Sequence, residues 1–504
     1  MSHLTGESRY QTTLFNLDER VETDHIVRVI DKFVSIIDLE ERGFARAIPP
    51  LLGRPSYDPS HLLKLFIYGY ESGVRSSRKL ERLTKESLPA MWLMDNLTPD
   101  FKTIADFRKD NIRALTEVFY EYGSFLDSAG MFGKKTIAID GTKIKAANNK
   151  KTNFSKNKIE SRIVYGKERI AEYMEALDKA DSMEEYEAAK DKIARTEKQI
   201  AKYENYKRQL SETGEGEISE VDPDARLMGN NKNGVDVAYN VQAATDAKNH
   251  LVAEFDVSMN PADHDQLANM MKKTQETLRK KDITGIVDKG YYNVKQLEEC
   301  EKAEATVIAS RQLAPGEKNI EKAFRLDKFV YDPKLDVYTC PLGQTLPTRN
   351  SKTAKQRKFF NKAVCQNCDH RGQCLKGKMK FRVISRGPNS DLLDRADKIY
   401  QDNQELYKLR QQTVEHVFGT LKRTMNGEYF LLRKKEKVKC EVSLMFLGYN
   451  LKRSRNAIGF DEIMKKLDEY AEKIGRGEAS LTALFLLACF RFHRKQEICV
   501  CLSF

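Results

Sequence analysis

The stretch TIAIDGTKIKA, residues 136–146, decides how the rest of the chain is read. Its apolar and β-branched residues alternate, which predicts a strand, and Ile137-Ala138-Ile139 mark it as one that enters a core. The apolar run ends on Asp140. A carboxylate at such a position is costly to bury unpaired, and a bound cation would pair it. Taken alone, Asp140-Gly141 between two alternating runs reads first as a hairpin turn.

Working outward from this strand, extended patterns resume at VAYNVQAATDA (237–247) and LVAEFDVSM (251–259), with a turn at Lys248-Asn249. A helix is expected over 264–281, a strand at TGIVDKG (284–290), a helix over 293–303, a strand at EATVIAS (304–310) and a long helix over 396–425. Asp288 falls where the second of these segments leaves its strand. The carboxyl end of a strand is where α/β sites collect, although aspartate beside a glycine turn is also ordinary turn chemistry. Two stretches interrupt the order. Residues 151–220 are charged and helical, with Ile193, Thr196, Ile200, Tyr203 and Leu210 on one seam, and read as an inserted helical hairpin. Residues 311–395 are irregular and rich in cysteine and lysine. Without them the order is three strands in a meander, helix, strand, helix, strand, helix. That order predicts an α/β, RNase-H-like core with a mixed five-stranded sheet and flanking helices.

The chain ahead of this core, residues 1–130, reads as all-helical. Leu62, Leu63, Phe66, Ile67 and Tyr70 repeat at helical spacing, Gly73 breaks the pattern, and Ser76 or Ser77 can cap a helix beginning Arg78-Lys79-Leu80. This is either a helix-turn-helix or a plain helical hairpin. A longer helix is expected from Thr103 through Phe107, Ile112, Leu115 and Phe119. The expected organisation is therefore a helical domain at 1–130, a core domain at 131–460 with its two insertions, and a tail at 461–504.

The 504 residues exceed the size of a single core, so more than one domain is expected. The net charge of +12 comes from 86 basic and 74 acidic residues. Eleven lysines or arginines against one acid, Asp369, lie between Arg349 and Arg382. Such a concentrated stripe suits a phosphate backbone. The amino terminus MSHLTGESRY has no secretion pattern, and the apolar run LTALFLLACF (481–490) is too short to span a bilayer. A cytoplasmic protein with no membrane partner is expected, and its nine cysteines are expected as thiols or metal ligands.

Glu415 lies in RQQTVEHVFGTLKR (410–423), with Lys422 seven positions on and Phe418 and Leu421 holding the helix to a core. Three motifs in order, Ile-Asp-Gly-Thr-Lys (139–143), Val-Asp-Lys-Gly-Tyr (287–291) and Tyr407…Arg410…Glu415…Lys422, resemble bacterial insertion-sequence transposases of the DDE class. The last resembles the Tyr-Arg-Glu-Lys signature of one such group. The segments RPSYDPSHLLKLFIYGYESGVRSSRKLERL (54–83) and PDFKTIADFRKDN (99–111) are similar to the amino-terminal domain of those enzymes, and the resemblance covers about residues 10–460. It implies Asp140, Asp288 and Glu415 as ligands of Mg²⁺ or Mn²⁺, and Tyr407, Arg410 and Lys422 as contacts to DNA near the cut. It also implies cleavage at element ends followed by strand transfer, with terminal inverted repeats and target DNA as partners and a homodimer in the DNA complex. Arg75, Arg78, Lys79 and Arg82, on or beside the basic helix, are expected to contact the terminal repeat. One departure is the spacing: four residues separate Arg410 from Glu415 where the commonest form has three, which turns Arg410 away from Glu415 on an ideal helix.

Cys340, Cys365, Cys368 and Cys374 sit in the most basic segment at a spacing that suits one structural Zn²⁺ or, alternatively, free thiols. Cys300, Cys440, Cys489, Cys499 and Cys501 have no ligand spacing, and His264 and His416 read as polar contacts. Two other functions share these motifs: a decayed or repurposed DNA-binding protein, and an RNase-H-like nuclease without strand transfer. The intact acidic triad argues against the first, and the helical front half against the second.

Overall fold

The computed structural model describes residues 16–49, 55–229, 234–312, 317–349, 356–375 and 379–475. The apolar run at 481–490 and Cys489, Cys499 and Cys501 lie outside the described residues, as does the amino-terminal decapeptide. In chain order, the helices discussed are α1 (Pro59–Glu71), α2 (Ser77–Glu86), α3 (Phe101–Asp110), α4 (Ile112–Ser128), α5 (Lys156–Asp178), α6 (Met183–Thr213), α7 (Leu267–Leu278), α8 (Val294–Lys302), α9 (Ser390–Asp402), α10 (Gln404–Arg423) and α11 (Lys435–Ile458). The strands are β1 (Thr136–Lys145), β2 (Arg226–Gly229), β3 (Val235–Asp246), β4 (Val252–Ser258), β5 (Thr284–Val287) and β6 (Thr306–Ala309). No described helix is long and apolar enough to cross a membrane.

The chain divides into two compact units, one of Met1–Gly133, Gly141–Pro261 and Val414–Phe504, the other of Lys134–Asp140 and Ala262–Thr413. Strand β1 passes from the second unit into the first between Asp140 and Gly141. The sheet to which β1 belongs is mixed and six-stranded, one strand more than the sequence pattern suggests. The extra strand is β2, which pairs antiparallel with the start of β3.

In the first unit, α11 is buried on every side from Cys440 to Leu451. A helix buried all round has to be covered all round, and α1 and α4 supply part of that cover. Helices α1 and α2 follow each other across a short turn. Asp58 caps α1 by accepting from the Ser60 N–H, and Ser76 caps α2 by accepting from Lys79. The turn between them runs through Gly73 at φ +76°, a left-handed conformation that favours glycine. Helices α5 and α6 form a long hairpin whose feet are tied by a three-residue antiparallel ladder, Asn153–Ser155 with Glu217–Ser219. Strands β3 and β4 pair antiparallel, and β3 is buried on both faces from Val237 onward.

The expected single helix from Thr103 to Phe119 is two helices. Asn111 interrupts it: its side chain donates to the Phe107 carbonyl at 2.8 Å and accepts from the Ala45 N–H at 2.6 Å. These bonds draw Asn111 out of helical conformation, so α3 stops and α4 starts anew.

In the second unit, β1, β5 and β6 pair in parallel with no register shift, Ile139 facing Val287 and Val287 facing Ala309. Helix α8 connects β5 to β6 and packs on α7. The segment between β6 and α9 holds two small sheets. One joins Val330–Asp332, Val337–Thr339 and Thr345–Pro347, the other Arg357–Phe359 and Ile384–Arg386. Among the described residues they share a small core of five buried residues, Phe329, Tyr338, Leu346, Phe359 and Ile384. The expected helix over 396–425 starts earlier, at Ser390, and is broken at Asn403, whose side chain donates to the Ile399 carbonyl at 2.8 Å. Helix α10 then restarts at Gln404.

Candidate active site

The site of the second unit is built by strand register. Because Ile139 pairs with Val287, the residues that follow, Asp140 and Asp288, stand side by side where the parallel pairing ends. Adjacent strands lie about 4.8 Å apart, so two carboxylates here repel each other unless a cation lies between them. Arg410 on α10 supplies one. Its Nη1 donates to Asp140 Oδ2 at 3.2 Å, and its Nη2 lies 3.8 Å from Asp288 Oδ1. The guanidinium is mostly covered, with its side chain 20% exposed against 27% for Asp140 and 42% for Asp288. Tyr407, one turn earlier on the helix, bonds to Arg410 and stacks edge-on to Tyr400 with ring centres 5.0 Å apart. Burial raises the Tyr407 phenol above its ordinary pKa, with Arg410 pulling the other way.

A second set of residues, absent from the sequence reading, holds the loop after Asp288. The Tyr292 hydroxyl donates to Asp397 Oδ1 at 2.9 Å, and Arg311 Nη1 donates to Asp397 Oδ2 at 2.9 Å. Gln312 donates to the Lys289 carbonyl at 2.9 Å. The doubled tyrosine of Asp-Lys-Gly-Tyr-Tyr was the available signal: Tyr291 is buried, while Tyr292 is the polar tether.

In the first unit, Glu415 is exposed on α10 between the buried Val414 and Val417. Lys422 Nζ donates to Thr142 Oγ1 at 2.6 Å and lies 3.4 Å from the Lys143 carbonyl, and burial lowers its pKa. His416 shares a hydrogen bond with the Tyr449 hydroxyl at 3.0 Å, a polar contact of the ordinary kind. His264 pairs with the neighbouring Asp265 at the surface.

A transposase domain model (DUF772) matches residues 15–110, and a transposase DDE domain model matches residues 339–455. The chain carries two transposase domains. Among solved structures, the transposase is similar to a chain of the piggyBac transposase synaptic complex with hairpin DNA, at 9% identity and a TM-score of 0.33. That match covers 94% of this chain and 82% of the other. No curated protein sequence matches it.

Of the four basic residues expected to meet DNA from the transposase's front half, Arg75 is a correction. It is 3% exposed and paired with the fully buried Glu441 at 2.8 Å. Its guanidinium also donates to the carbonyls of Tyr429, at 2.9 Å, and Asn426. Both amino groups of that fork are spent inside the protein, so Arg75 fastens the turn after α1 to the start of α11. Arg78, Lys79 and Arg82 are exposed on α2, with Arg78 over the Phe101 ring and Arg82 paired to Glu86.

The four cysteines at 340, 365, 368 and 374 line one cavity in the second unit, together with Phe324, Phe329 and Leu346. All four are thiols, and the Gln344 N–H donates to Cys340 Sγ at 3.3 Å. Burial pushes the Cys374 thiol up to about 11. Among the described residues, no three His, Cys, Asp or Glu side chains are already drawn together as a metal's ligands. Cys300 and Cys440 are buried thiols.

Proposed function

We propose that this transposase cuts DNA at the ends of its element and joins the freed end to target DNA by metal-dependent phosphoryl transfer on an RNase-H-like core. The observation that carries the proposal is the placement of Asp140 and Asp288 on neighbouring parallel strands, with a cation already lying between their carboxylates. Strand order and direction support the fold assignment: β3 and β4 are antiparallel, and β1, β5 and β6 parallel, as an RNase-H-like sheet requires.

The donor set fits a hard divalent cation, Mg²⁺ or Mn²⁺, which prefers carboxylate oxygens. Asp140 and Asp288 would hold it, with Glu415 of α10 as the third carboxylate. Bound there, such a cation lowers the pKa of an attacking water or hydroxyl and offsets charge at the transferring phosphorus. The remaining work falls to the chain. Lys422, braced by Thr142, presents a cation to the DNA backbone, and Tyr407 and Arg410 contact the strand near the cut. Arg78, Lys79 and Arg82 on α2 grip the terminal repeat. Because two element ends must be joined, the working form is a homodimer on DNA.

The four-cysteine cavity is proposed to hold one structural Zn²⁺. The support is the shared cavity, an N–H aimed at the Cys340 sulfur, and a core too small to order the two little sheets by burial alone. Neutral thiols have no charge to draw them inward, so the sulfurs would close on the ion by side-chain rotation.

The decisive test is amide replacement. Asp140→Asn, Asp288→Asn and Glu415→Gln should each abolish cleavage of a repeat-bearing duplex while leaving its binding intact. The triple variant should be hardly worse than any single one, since the three act as a unit. Robust cleavage by the Asp288→Asn protein sinks the proposal.

A further inference from the structure

We propose that Arg410 is a resident counter-cation that competes with the divalent metal for Asp140 and Asp288, so that metal loading and DNA engagement are coupled through one side chain. The inference rests on the assignment of those two aspartates as metal ligands. It arises from the way the guanidinium spans them: one amino group is hydrogen-bonded to Asp140 at 3.2 Å, and the other is 3.8 Å from Asp288.

A guanidinium hydrogen-bonded to Asp140 occupies one of that carboxylate's acceptor positions and offsets the negative charge that would draw a hard cation. The two cations also repel at this separation, so they do not share the pair of aspartates. The clamp is uneven. Its hold on Asp140 is a hydrogen bond, while its hold on the more exposed Asp288 is an ion pair without one. Asp288 is therefore the first ligand a metal can capture, and release of Asp140 follows. Arg410, once freed, remains tethered on α10 one turn from Tyr407, and its planar fork suits a phosphate as well as a carboxylate. A DNA backbone phosphate is then its next partner. Each event favours the other, and by reciprocity of binding free energies DNA must tighten metal binding by the factor by which metal tightens DNA binding.

The test measures Mn²⁺ binding to the full-length protein directly, from the loss of the free-ion signal in electron paramagnetic resonance, with and without a duplex bearing the terminal repeat. Without DNA, Arg410→Gln should bind Mn²⁺ about tenfold more tightly than wild type, and Arg410→Lys should stay near wild type because it keeps the charge. Added duplex should tighten wild-type Mn²⁺ binding by a similar factor and leave Arg410→Gln unchanged. Equal Mn²⁺ affinity of wild type and Arg410→Gln in the absence of DNA overturns the coupling. The Asp288→Asn protein separates the two ideas. If it loses Mn²⁺ binding while Arg410→Gln gains nothing, only the coupling falls. If it binds Mn²⁺ like wild type, the metal assignment falls first.

Discussion

Replacing Arg75 with alanine should unfold the junction between the turn after α1 and the start of α11, and leave the DNA-contacting surface untouched. The magnitude follows from the bonds that the side chain makes. Arg75 donates to Glu441 at 2.8 Å and to two backbone carbonyls, while Glu441 also accepts from the N–H groups of Leu431 and Leu432. Truncation orphans both carbonyls and strands a carboxylate that has no solvent exposure. Breaking a buried pair from one side costs about 3–5 kcal/mol. Burial already raises the pKa of Glu441 above its ordinary 4.5, with Arg75 as the largest opposing influence. Losing Arg75 raises it further. A carboxyl whose folded pKa lies above its unfolded value adds no penalty below about pH 4.5, and the penalty grows as pH rises through the folded value. The deficit of Arg75→Ala against wild type should therefore be largest at neutral pH and shrink as the solution is acidified towards that point. Adding Glu441→Gln, which removes the stranded charge but can still accept from Leu431 and Leu432, should restore part of the loss. Hydrogen exchange of peptides within Lys435–Ile458, read beside urea unfolding, reports this directly. An Arg75→Ala protein with wild-type exchange and unfolding but weakened repeat binding would refute the argument and return Arg75 to the DNA surface.

Alanine at Gly69 should cost about 1–3 kcal/mol, seen as a lowered Tm, because a Cβ there would lie 2.3 Å from Leu80 Cδ2 and 2.6 Å from the Val74 carbonyl oxygen, forcing α1 and α2 apart. Joint alanine replacement of Arg78, Lys79 and Arg82 should leave Tm within experimental error and flatten the salt dependence of repeat binding by up to roughly 0.9 per lost phosphate contact; an unchanged slope removes them from the interface. Purified, reduced protein should carry about one zinc per chain, and Cys365→Ser with Cys368→Ser should release it and open the segment between β6 and α9 to proteolysis. Zinc-free protein with that segment protease-resistant returns the four cysteines to plain thiols.

Which parts of this architecture are legible in sequence follows from the range of the interactions involved. Residues 136–146 read as a strand because their alternation is local, and Asp288 reads as a strand-end residue because Thr284–Val287 is a short apolar run feeding a turn. Asn111 and Asn403 were not legible as helix breaks. Each acts through side-chain bonds to the backbone that compete with an otherwise continuous apolar periodicity. The role of Arg75 was hidden because its partner is 366 residues away, and beside a glycine turn and a basic helix an arginine looks like surface. Arg410 shows the same limit from another side. Helical spacing fixes its angle relative to Glu415, but only the register of β1 on β5 determines which carboxylates it meets. Strand β2 was missed because its four residues, Arg-Leu-Met-Gly, carry no alternation of their own and are defined by the strand they pair with.

The hairpin of α5 and α6 leaves and returns through the same three-residue ladder, so the host sees only its foot. Phe154, Ile159 and Leu210 form a small plug at that foot, with Tyr203 and Tyr206 against it. Farther along the shaft, Val164, Tyr165, Met174 and Met183 are bare to solvent. With 23 residues, α5 reaches about 35 Å, close to one turn of duplex DNA. An outrigger anchored in this way can gain or lose two helical turns on each arm without altering a single contact at its mooring. Its length is consequently a quantity that mutation can tune separately from the chemistry of the core, as a yardstick is cut to fit without rebuilding the bench to which it is clamped.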